Sequence, residues 1–547
     1  MSRQQAAVHP DRIFDLIVIG GGITGAGVAR DAALRGLSCL LLEKGDFASG
    51  VTSKSTRLIH GGLRYLANFE VDLVAEALRE RAILRRLAPY LIRPIPLVIP
   101  IYKGDPHGRA VVSVGIHLYD LLSHEKDIPH YFTSGREQTL AFEPRLSREG
   151  LTGSALFYDH QILMPERLVI ENIVGAREAG AAVMNYVRVE RIEERNDGIA
   201  VTARDTLANE VRTFRAKALI NAAGPWIDRV RQAGAINEKK IIFPTKGIHL
   251  VLPKLSEQAL FVTSRDGRMF FIIPLDQWSL IGTTDTKYSE DLDEVHANRD
   301  DVEYLITESR RVLPGLNITR EAICYTYAGI RPLAFAGASE SKISRKHRVI
   351  REGRTGRIIT IAGGKLTTYR NMAKDVVNAA CSTLGVKTPC ITDQKPFPGG
   401  LPMAYEDYLR EAVPDMAARH KVSADTVRHL IRFYGSRAER VLDLADREPS
   451  LGRPLSSESM DIQAQVVYSV LEEGAKTLSD IILRRMHLGV TGSRGVGQAG
   501  EIAEAAGREL RWSAEEKKHS LEHFYDDIRK ERTCLKAVGG DKVTTPA

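Results

Sequence analysis

The chain has 547 residues, of which 43% are hydrophobic and 27% are charged, with a formal net charge of +7 and five cysteines. No stretch reaches the roughly 18 to 20 uninterrupted apolar residues of a membrane-spanning helix, and residues 1–12 lack the apolar core of a secretory signal. The cysteines form no C-x-x-C pair, which argues against a bound metal and for a reducing compartment. A cytoplasmic protein of several domains, without a metal site, is therefore predicted.

The first part of the chain has the pattern of a dinucleotide-binding βαβ unit. Ile13–Ile19 is apolar and rich in β-branched residues, which predicts a buried parallel strand. Gly20, Gly22 and Gly25 follow in the G-x-G-x-x-G spacing, which suits a tight turn, the approach of a pyrophosphate and close helix packing. A helix and a second strand lead to Glu43, where a carboxylate can accept hydrogen bonds from a ribose. The alternative interpretation is a glycine-rich turn that binds nothing.

The segment after Glu43 favours FAD over NAD. An NAD-binding domain normally continues into another βαβ unit, whereas this chain enters a loop rich in hydroxyl side chains. Ser53, Ser55 and Thr56 of that loop can donate hydrogen bonds to a diphosphate or to the edge of a flavin ring. The loop then runs into the motif HGGLRYL at 60–66. The alternative is an ordinary surface loop before a helix.

The middle of the chain predicts a second sheet and a return to the first domain. Val71–Leu87 has the apolar spacing of an amphipathic helix. Leu91–Tyr102 carries three prolines among apolar residues and predicts an edge strand leaving the first domain, with a patch that dips into a membrane as the alternative. Short apolar strands across 241–285 predict an antiparallel sheet. Ile358–Ala362 then resembles a buried parallel strand, followed by a double glycine and a helix, so the cofactor domain is predicted to be discontinuous.

After residue 404 the sequence predicts successive amphipathic helices. The predicted fold is therefore α/β plus α, with a discontinuous Rossmann-like FAD-binding domain, an antiparallel-sheet substrate domain and a C-terminal helical domain. The predicted boundaries are 1–95, 160–240 and 345–390 for the FAD-binding domain, 96–159 and 241–344 for the substrate domain, and 400–535 for the helical domain.

Several motifs in this order resemble the FAD-dependent, respiratory and quinone-linked glycerol-3-phosphate dehydrogenases. They are GGGITGAGVARDAALRGL (20–37), HGGLRYL (60–66), NAAGPW (221–226), KGIHLVLP (246–253), GIRPL (329–333) and GGKLTTYR (363–370). The resemblance implies that sn-glycerol 3-phosphate is oxidised to dihydroxyacetone phosphate by hydride transfer to FAD. It also implies that electrons pass to a membrane quinone from a protein associated peripherally with the inner face of the cell membrane.

The resemblance also implies site residues. The implied cofactor contacts are Gly20, Gly22, Gly25, Glu43, Ser53, Ser55, Thr56, Val189, Gly224, Gly364, Leu366 and Thr367. The implied substrate contacts are Arg64, Tyr65, Arg331, Arg345 and Lys365, and cations are what a small phosphate ester requires. His249 is the candidate base for the alcohol proton, with His60 as competitor. Arg331 and Lys365 are further catalytic candidates, because they could stabilise a developing alkoxide.

Alternatives remain open at this point. An oxidase that passes electrons to oxygen and releases hydrogen peroxide would share every motif, and an amine or amino-acid oxidase would share the FAD domain. The net positive charge suits either a solvated basic face or the negative inner leaflet of a membrane. No nucleic-acid-binding signature accompanies it. The sequence also leaves a homodimer open.

Overall fold

The computed structural model describes residues 12–106, 108–123, 128–236, 239–335, 343–344 and 346–535. These residues form two β-sheets, helices packed against them and a C-terminal helical region, which confirms the predicted fold class. Within them, none of the helices combines the length and the apolar content needed to cross a bilayer.

The strands are numbered in chain order. Their bounds are β1 (Ile13–Ile19), β2 (Cys39–Leu42), β3 (Leu58–Ile59), β4 (Ile92–Tyr102), β5 (Phe132–Gly135), β6 (Leu151–Ile162), β7 (Ala182–Met184), β8 (Val187–Arg195), β9 (Gly198–Asp205), β10 (Glu210–Asn221), β11 (Ile242–Pro253), β12 (Ala259–Thr263), β13 (Met269–Leu275), β14 (Trp278–Gly282), β15 (Thr286–Lys287), β16 (Tyr325–Phe335), β17 (Ile343–Ser344), β18 (Arg348–Glu352) and β19 (Ile358–Ala362).

The α-helices are numbered in the same way. Their bounds are α1 (Ile23–Leu34), α2 (Val71–Leu87), α3 (Arg109–Leu121), α4 (Arg136–Phe142), α5 (Pro165–Glu178), α6 (Ile227–Ala233), α7 (Arg299–Val312), α8 (Tyr369–Leu384), α9 (Tyr405–His420), α10 (Ala424–Tyr434), α11 (Ala438–Arg447), α12 (Gln463–Leu471), α13 (Leu478–Arg484), α14 (Ala499–Leu510) and α15 (Ala514–Arg532).

The first sheet has the order β18-β19-β10-β1-β2-β7, and β8 and β9 continue from β10. Strands β19, β10, β1, β2 and β7 are parallel, and the apolar side chains of β1 and β2 are buried in its core. Because β19 lies more than three hundred residues after β1, this sheet is built from distant segments of the chain. The discontinuity expected from the sequence is therefore present.

The second sheet has the order β17-β16-β11-β14-β13-β12-β4-β6-β3 and is antiparallel except between β12 and β4. Strands β3 and β4 begin before residue 96, so the predicted 1–95 segment contributes to both sheets. The boundaries proposed for the domains stay a prediction.

The position of β4 corrects the expectation of an edge strand for Leu91–Tyr102. It lies inside the second sheet, between β6 and β12. Strand β12 pairs only with Leu97 and Val98, whereas β6 pairs along the whole of β4. Proline has no N–H group, so within a strand it occupies positions that donate no hydrogen bond to a neighbour. Because β12 pairs with only two residues of β4, such positions are present at Pro94, Pro96 and Pro100. The apolar side chains of this segment are core and not a membrane patch.

Buried ion pairs join the C-terminal helices to the first sheet and its helices. Arg167 of α5 makes a bidentate pair with Glu473, with both N···O distances 2.7 Å. Arg485 pairs with Asp46, which follows β2, at 2.8 and 2.9 Å. All four side chains are buried. Since removing one partner of such a pair leaves an uncompensated buried charge, these contacts fix how the helical region meets α5 and the loop after β2.

Candidate active site

One cavity lies where the carboxyl ends of the parallel strands meet the second sheet. Its first wall comes from the loops after β1, β10 and β19, at Gly22, Gly224 and Gly364. Its second wall comes from strands β6, β11, β13 and β16 of the second sheet. The carboxyl ends of parallel strands are where open α/β sheets bind ligands. The cavity therefore has a nucleotide-binding side and a side that belongs to the other sheet.

The three glycines of the G-x-G-x-x-G motif have different structural roles. Gly20 has a φ of +109°, and a Cβ there would lie 2.7 Å from the carbonyl oxygen of Ala222. A Cβ on Gly25 would lie 1.8 Å from the carbonyl oxygen of Gly20. A Cβ on Gly22 would meet only the Thr52 hydroxyl, at 3.5 Å. Gly20 and Gly25 therefore let the strand and helix pack, whereas Gly22 leaves space for a ligand.

Gly22 is also the N-cap of α1 and has no side chain of its own to accept from the first N–H groups of the helix. Of its first N–H groups, that of Ile23 donates to the Thr52 hydroxyl at 3.2 Å. A helix N-terminus with a bare glycine cap is suited to an anion, because the N–H groups and the helix dipole point at it. The residues present therefore fit the pyrophosphate of a dinucleotide.

Glu43 lies at the end of β2 and is outside the cavity wall. Its carboxylate accepts hydrogen bonds from the backbone N–H groups of Gly21 at 2.6 Å and Gly45 at 2.8 Å. Burial raises the pKa of Glu43 above its ordinary value, while these two N–H donors act in the opposite direction. The carboxylate thus fixes the glycine loop from behind, a role that the sequence did not predict, and the ribose contact stays a prediction.

The hydroxyl-rich loop forms part of the wall, though not with every residue expected. Ser55 and Thr56 line the cavity. Ser53 is buried beside it, and its hydroxyl donates to the carbonyl of Gly50 at 3.0 Å. Thr52 of the same hydroxyl-rich loop lines the cavity and accepts the hydrogen bond from the start of α1.

Arg64, Tyr65 and Lys365 come together on one side of the cavity. The Lys365 ammonium lies 3.9 Å from the centroid of the Tyr65 ring, and the Arg64 guanidinium lies 5.2 Å from it. The Tyr65 ring is buried, and Arg64 also donates to its hydroxyl at 3.4 Å. Two cations from segments three hundred residues apart thus share one aromatic ring, as favourable cation–π geometry allows.

Arg331 extends from β16 over the neighbouring strands. Its guanidinium donates to the Asp285 carboxylate at 2.8 Å, to the Thr283 hydroxyl at 3.0 Å and to the Thr284 carbonyl at 2.8 Å. A Cβ on Gly247 would lie 2.6 Å from its Nη2 atom, so the glycine lets this guanidinium lie close to the backbone of β11. The guanidinium is therefore held in a fixed orientation on the second sheet's side of the cavity.

His249 is the buried histidine of the same wall. Its Nε2 atom lies 2.9 Å from the Thr56 hydroxyl, and its ring stacks on Tyr327 with centroids 4.8 Å apart. Burial lowers the pKa of His249 well below its usual range, and the positive charges of Arg331 and Arg57 lower it further. The imidazole is therefore neutral at physiological pH, which is the form that can accept a proton.

His60, the competing base, also lines the cavity. Its backbone N–H donates to the Thr367 hydroxyl at 3.0 Å, and that hydroxyl donates to the His60 carbonyl at 3.1 Å. Thr367 is buried and does not line the cavity, so its observed task is to join the loop after β19 to the HGGLRYL segment.

The remaining predicted residues are placed as follows. Leu366 lines the cavity beside Gly364. Val189 is half-buried on β8, where it packs against the core of the first sheet and does not line the cavity. Arg345 lies outside the described residues. Lys54 lines the cavity and was missed, because a lysine within a hydroxyl-rich loop resembles a solvated surface residue.

Comparisons with known proteins identify the family of the chain. A family model described as FAD dependent oxidoreductase matches residues 15–388, and one described as the C-terminal domain of alpha-glycerophosphate oxidase matches residues 390–517. A glycerol-3-phosphate dehydrogenase of Synechocystis sp. is 39% identical over 542 residues, covering 95% of this chain and 97% of that protein. An aerobic glycerol-3-phosphate dehydrogenase of Staphylococcus aureus is 37% identical and covers 86% of each chain.

Solved structures show the same relationship. The glycerol-3-phosphate dehydrogenase from Bacillus halodurans, complexed with FAD, has a TM-score of 0.80 and 30% identity over 97% of both chains. The L-alpha-glycerophosphate oxidase from Mycoplasma pneumoniae, with FAD bound, has a TM-score of 0.55 at 18% identity, which shows the fold alone. The chain therefore belongs to the FAD-dependent oxidoreductase family, in its group of glycerol-3-phosphate dehydrogenases and oxidases, and FAD is its cofactor.

Proposed function

We propose that this protein oxidises sn-glycerol 3-phosphate to dihydroxyacetone phosphate, with FAD as the hydride acceptor, and passes the electrons to a membrane quinone. The observation that carries the proposal is the convergence of Arg64, Arg331 and Lys365 on the cavity that also contains the glycine loop. The substrates named for the relatives support it.

The cations account for the choice of substrate. A phosphate dianion needs several donors in fixed geometry, and guanidinium groups supply paired N–H donors for that purpose. Arg331 is oriented by three oxygen acceptors, and Arg64 and Lys365 are placed by Tyr65. Three cations suit a phosphate better than the single carboxylate of an amino acid. We therefore place the phosphate of the substrate among these residues and disfavour an amine or amino-acid oxidase.

Oxidation of a secondary alcohol removes a hydride from carbon and a proton from oxygen. FAD, when bound, supplies the acceptor for the hydride. His249 is placed to take the proton, because it is neutral and its ring is fixed by Thr56 and Tyr327. Arg331 and Lys365 stabilise the negative charge that develops on the substrate oxygen as the proton leaves. His60 is the second candidate for the base.

His249→Gln tests the proton acceptor. Flavin reduction by glycerol 3-phosphate is expected to slow by roughly 10²–10⁴, the usual worth of a general base. Because the pKa of His249 is lowered, the wild-type rate of flavin reduction should stay constant as pH falls through 6.5 and should decrease only at lower pH, where His249 gains a proton. This decrease in rate at low pH should be absent in the variant. Stopped-flow measurement of flavin reduction over a range of pH gives both the rate and its pH dependence. His429→Gln is the matched control, since the pKa of His429 is also lowered by burial but this histidine lies outside the cavity. An unchanged rate in His249→Gln would exclude His249 as the base and leave His60 or another group in that role.

The electron acceptor and the location are the finer parts of the proposal. The relatives that share most of the chain at 37–39% identity are named dehydrogenases, and on that ground we propose a quinone as the acceptor rather than oxygen. A quinone is dissolved in the bilayer, so we place the protein at the inner face of the cell membrane as a peripheral protein. Turnover with a soluble quinone analogue and hydrogen peroxide yield, measured on the same preparation, test this. Peroxide in proportion to substrate consumed would instead identify the oxidase.

A further inference from the structure

Lys54 is a cavity cation with no role in the function proposed above. It ends a short 3-10 helix, Val51–Lys54, in the hydroxyl-rich loop, and it lies between Ser53 and Ser55. Its side chain is 29% exposed. A Cβ on Gly329 would lie 2.8 Å from the Cβ of Lys54, so the glycine of β16 makes room for this lysine. The second sheet thus accommodates Lys54 at the cofactor loop.

The partner of Lys54 comes from the last helix of the chain. Its ammonium lies 3.5 Å from a carboxylate oxygen of Glu531 on α15. Arg494 binds the same carboxylate through two hydrogen bonds of 2.7 and 2.9 Å, and the Glu531 carbonyl accepts a 2.8 Å hydrogen bond from Thr326 of β16. Glu531 is 10% exposed. Its position is therefore fixed, and it directs the Lys54 ammonium.

The other end of the same loop is also held by the C-terminal helices. Asp46 is buried and accepts hydrogen bonds from Arg484 at 2.6 Å and from Arg485 at 2.8 and 2.9 Å. The helical region therefore contacts the cofactor loop at both ends, through Asp46 and through Lys54.

We propose that Lys54 stabilises the negative charge that FAD acquires on reduction, and that Glu531 is the positioning residue that holds it there. A hydride brings two electrons and one proton to FAD, so the reduced cofactor keeps one negative charge if no second proton follows. A cation in the same cavity lowers the free energy of that state. The C-terminal helical region would thus set the reduction potential of the flavin. This inference rests on FAD as the cofactor and not on the identity of the substrate or the electron acceptor.

The charge of Lys54 depends on its surroundings. Burial lowers the pKa of Lys54 below its ordinary value, and the Glu531 carboxylate raises it. The other charged groups around it are Asp527, which raises this pKa, and Arg494 and Arg484, which lower it. Loss of Glu531 would therefore let Lys54 lose its proton at lower pH.

The first test is the midpoint potential of FAD in the anaerobic holoenzyme, measured by equilibration with a reference dye. Lys54→Met should reduce the ratio of reduced to oxidised FAD at a fixed dye potential by roughly tenfold or more, because the reduced cofactor loses the attraction of one nearby positive charge. Lys517→Met is the matched control. Lys517 lies on the same helix as Glu531, its side chain is 32% exposed and it pairs with Glu504 of α14. Neither Lys517 nor Glu504 lines the cavity. An unchanged potential in Lys54→Met would overturn the proposal.

Glu531→Gln tests the positioning role without removing the lysine. In the wild type the potential should fall more steeply with pH once Lys54 loses its proton. The pH at which the plot of potential against pH becomes steeper is called the alkaline bend. It should move to lower pH in Glu531→Gln. It should be absent both in Lys54→Met and in the double variant Lys54→Met/Glu531→Gln. A bend that stays in place in Glu531→Gln, or that persists in the double variant, would show that Glu531 does not act through Lys54. Neither readout requires turnover, so a different substrate would leave the test intact.

Discussion

Arg331→Ala is expected to keep FAD bound and to lower kcat/KM for glycerol 3-phosphate by roughly 10²–10⁴. This range corresponds to the loss of about two charge-assisted hydrogen bonds to the substrate, at roughly 1.5–3 kcal/mol each. FAD content should not change, because Arg331 lies on β16, in the wall formed by the second sheet, and not in the glycine loop. Steady-state kinetics together with the flavin absorbance of the purified protein measure both quantities.

Arg311→Ala is the matched control for this change. The Arg311 side chain is also 21% exposed and is also held by a carboxylate, that of Glu308, but it lies outside the cavity. The kcat/KM of Arg311→Ala for glycerol 3-phosphate should equal that of the wild type. Wild-type kinetics in Arg331→Ala would remove Arg331 from the substrate site and leave Arg64 and Lys365 as the phosphate ligands.

Gly22→Val is expected to give folded protein without FAD. A Cβ at Gly22 meets only the Thr52 hydroxyl, so the chain itself can accommodate a side chain there, but the side chain occupies the space in front of α1. A pyrophosphate displaced from this helix end loses about two charge-assisted hydrogen bonds, which corresponds to a factor of about 10²–10⁴ in affinity. The FAD-to-protein ratio after purification and a fluorescence titration with added FAD measure the effect.

Gly135→Val controls for the general effect of valine at a helix N-cap. Gly135 precedes α4 with φ −75° and ψ 175°, close to the φ −73° and ψ −177° of Gly22, and a Cβ added there would have no atom within 4 Å. That variant should retain FAD. Full FAD occupancy in Gly22→Val would contradict the assignment of this loop to the pyrophosphate.

The local elements were predicted from the sequence where periodicity and composition agree. Strand Ile13–Ile19, helix Val71–Leu87 and strand Ile358–Ala362 have the bounds that their patterns predict. The sequence predicts an edge position for β4, because the prolines of Leu91–Tyr102 indicate residues that donate no hydrogen bond. The prolines do not indicate which strands lie beside β4. That information depends on pairing with β6 and β12, which are distant in sequence.

Site residues that depend on contacts between distant segments are likewise not predicted from the sequence. Glycine spacing and local motifs placed Gly22, Arg331 and Lys365 at one cavity, because each motif is short and its chemistry is specific. Lys54 and Glu531 were not found, since a single lysine and a single glutamate 477 residues apart carry no local pattern. Their pairing results from the packing of α15 against β16, which only the folded chain shows.

Hydride transfer from glycerol 3-phosphate to FAD in this cavity is the step that we propose for this protein. The most direct test is anaerobic addition of sn-glycerol 3-phosphate to the purified yellow protein, recorded as flavin absorbance. We expect the oxidised flavin spectrum to bleach with one equivalent of substrate consumed per FAD. We also expect dihydroxyacetone phosphate to appear and a quinone to restore the yellow colour. A flavin spectrum that glycerol 3-phosphate leaves unchanged, in protein with full FAD content, would contradict the proposal.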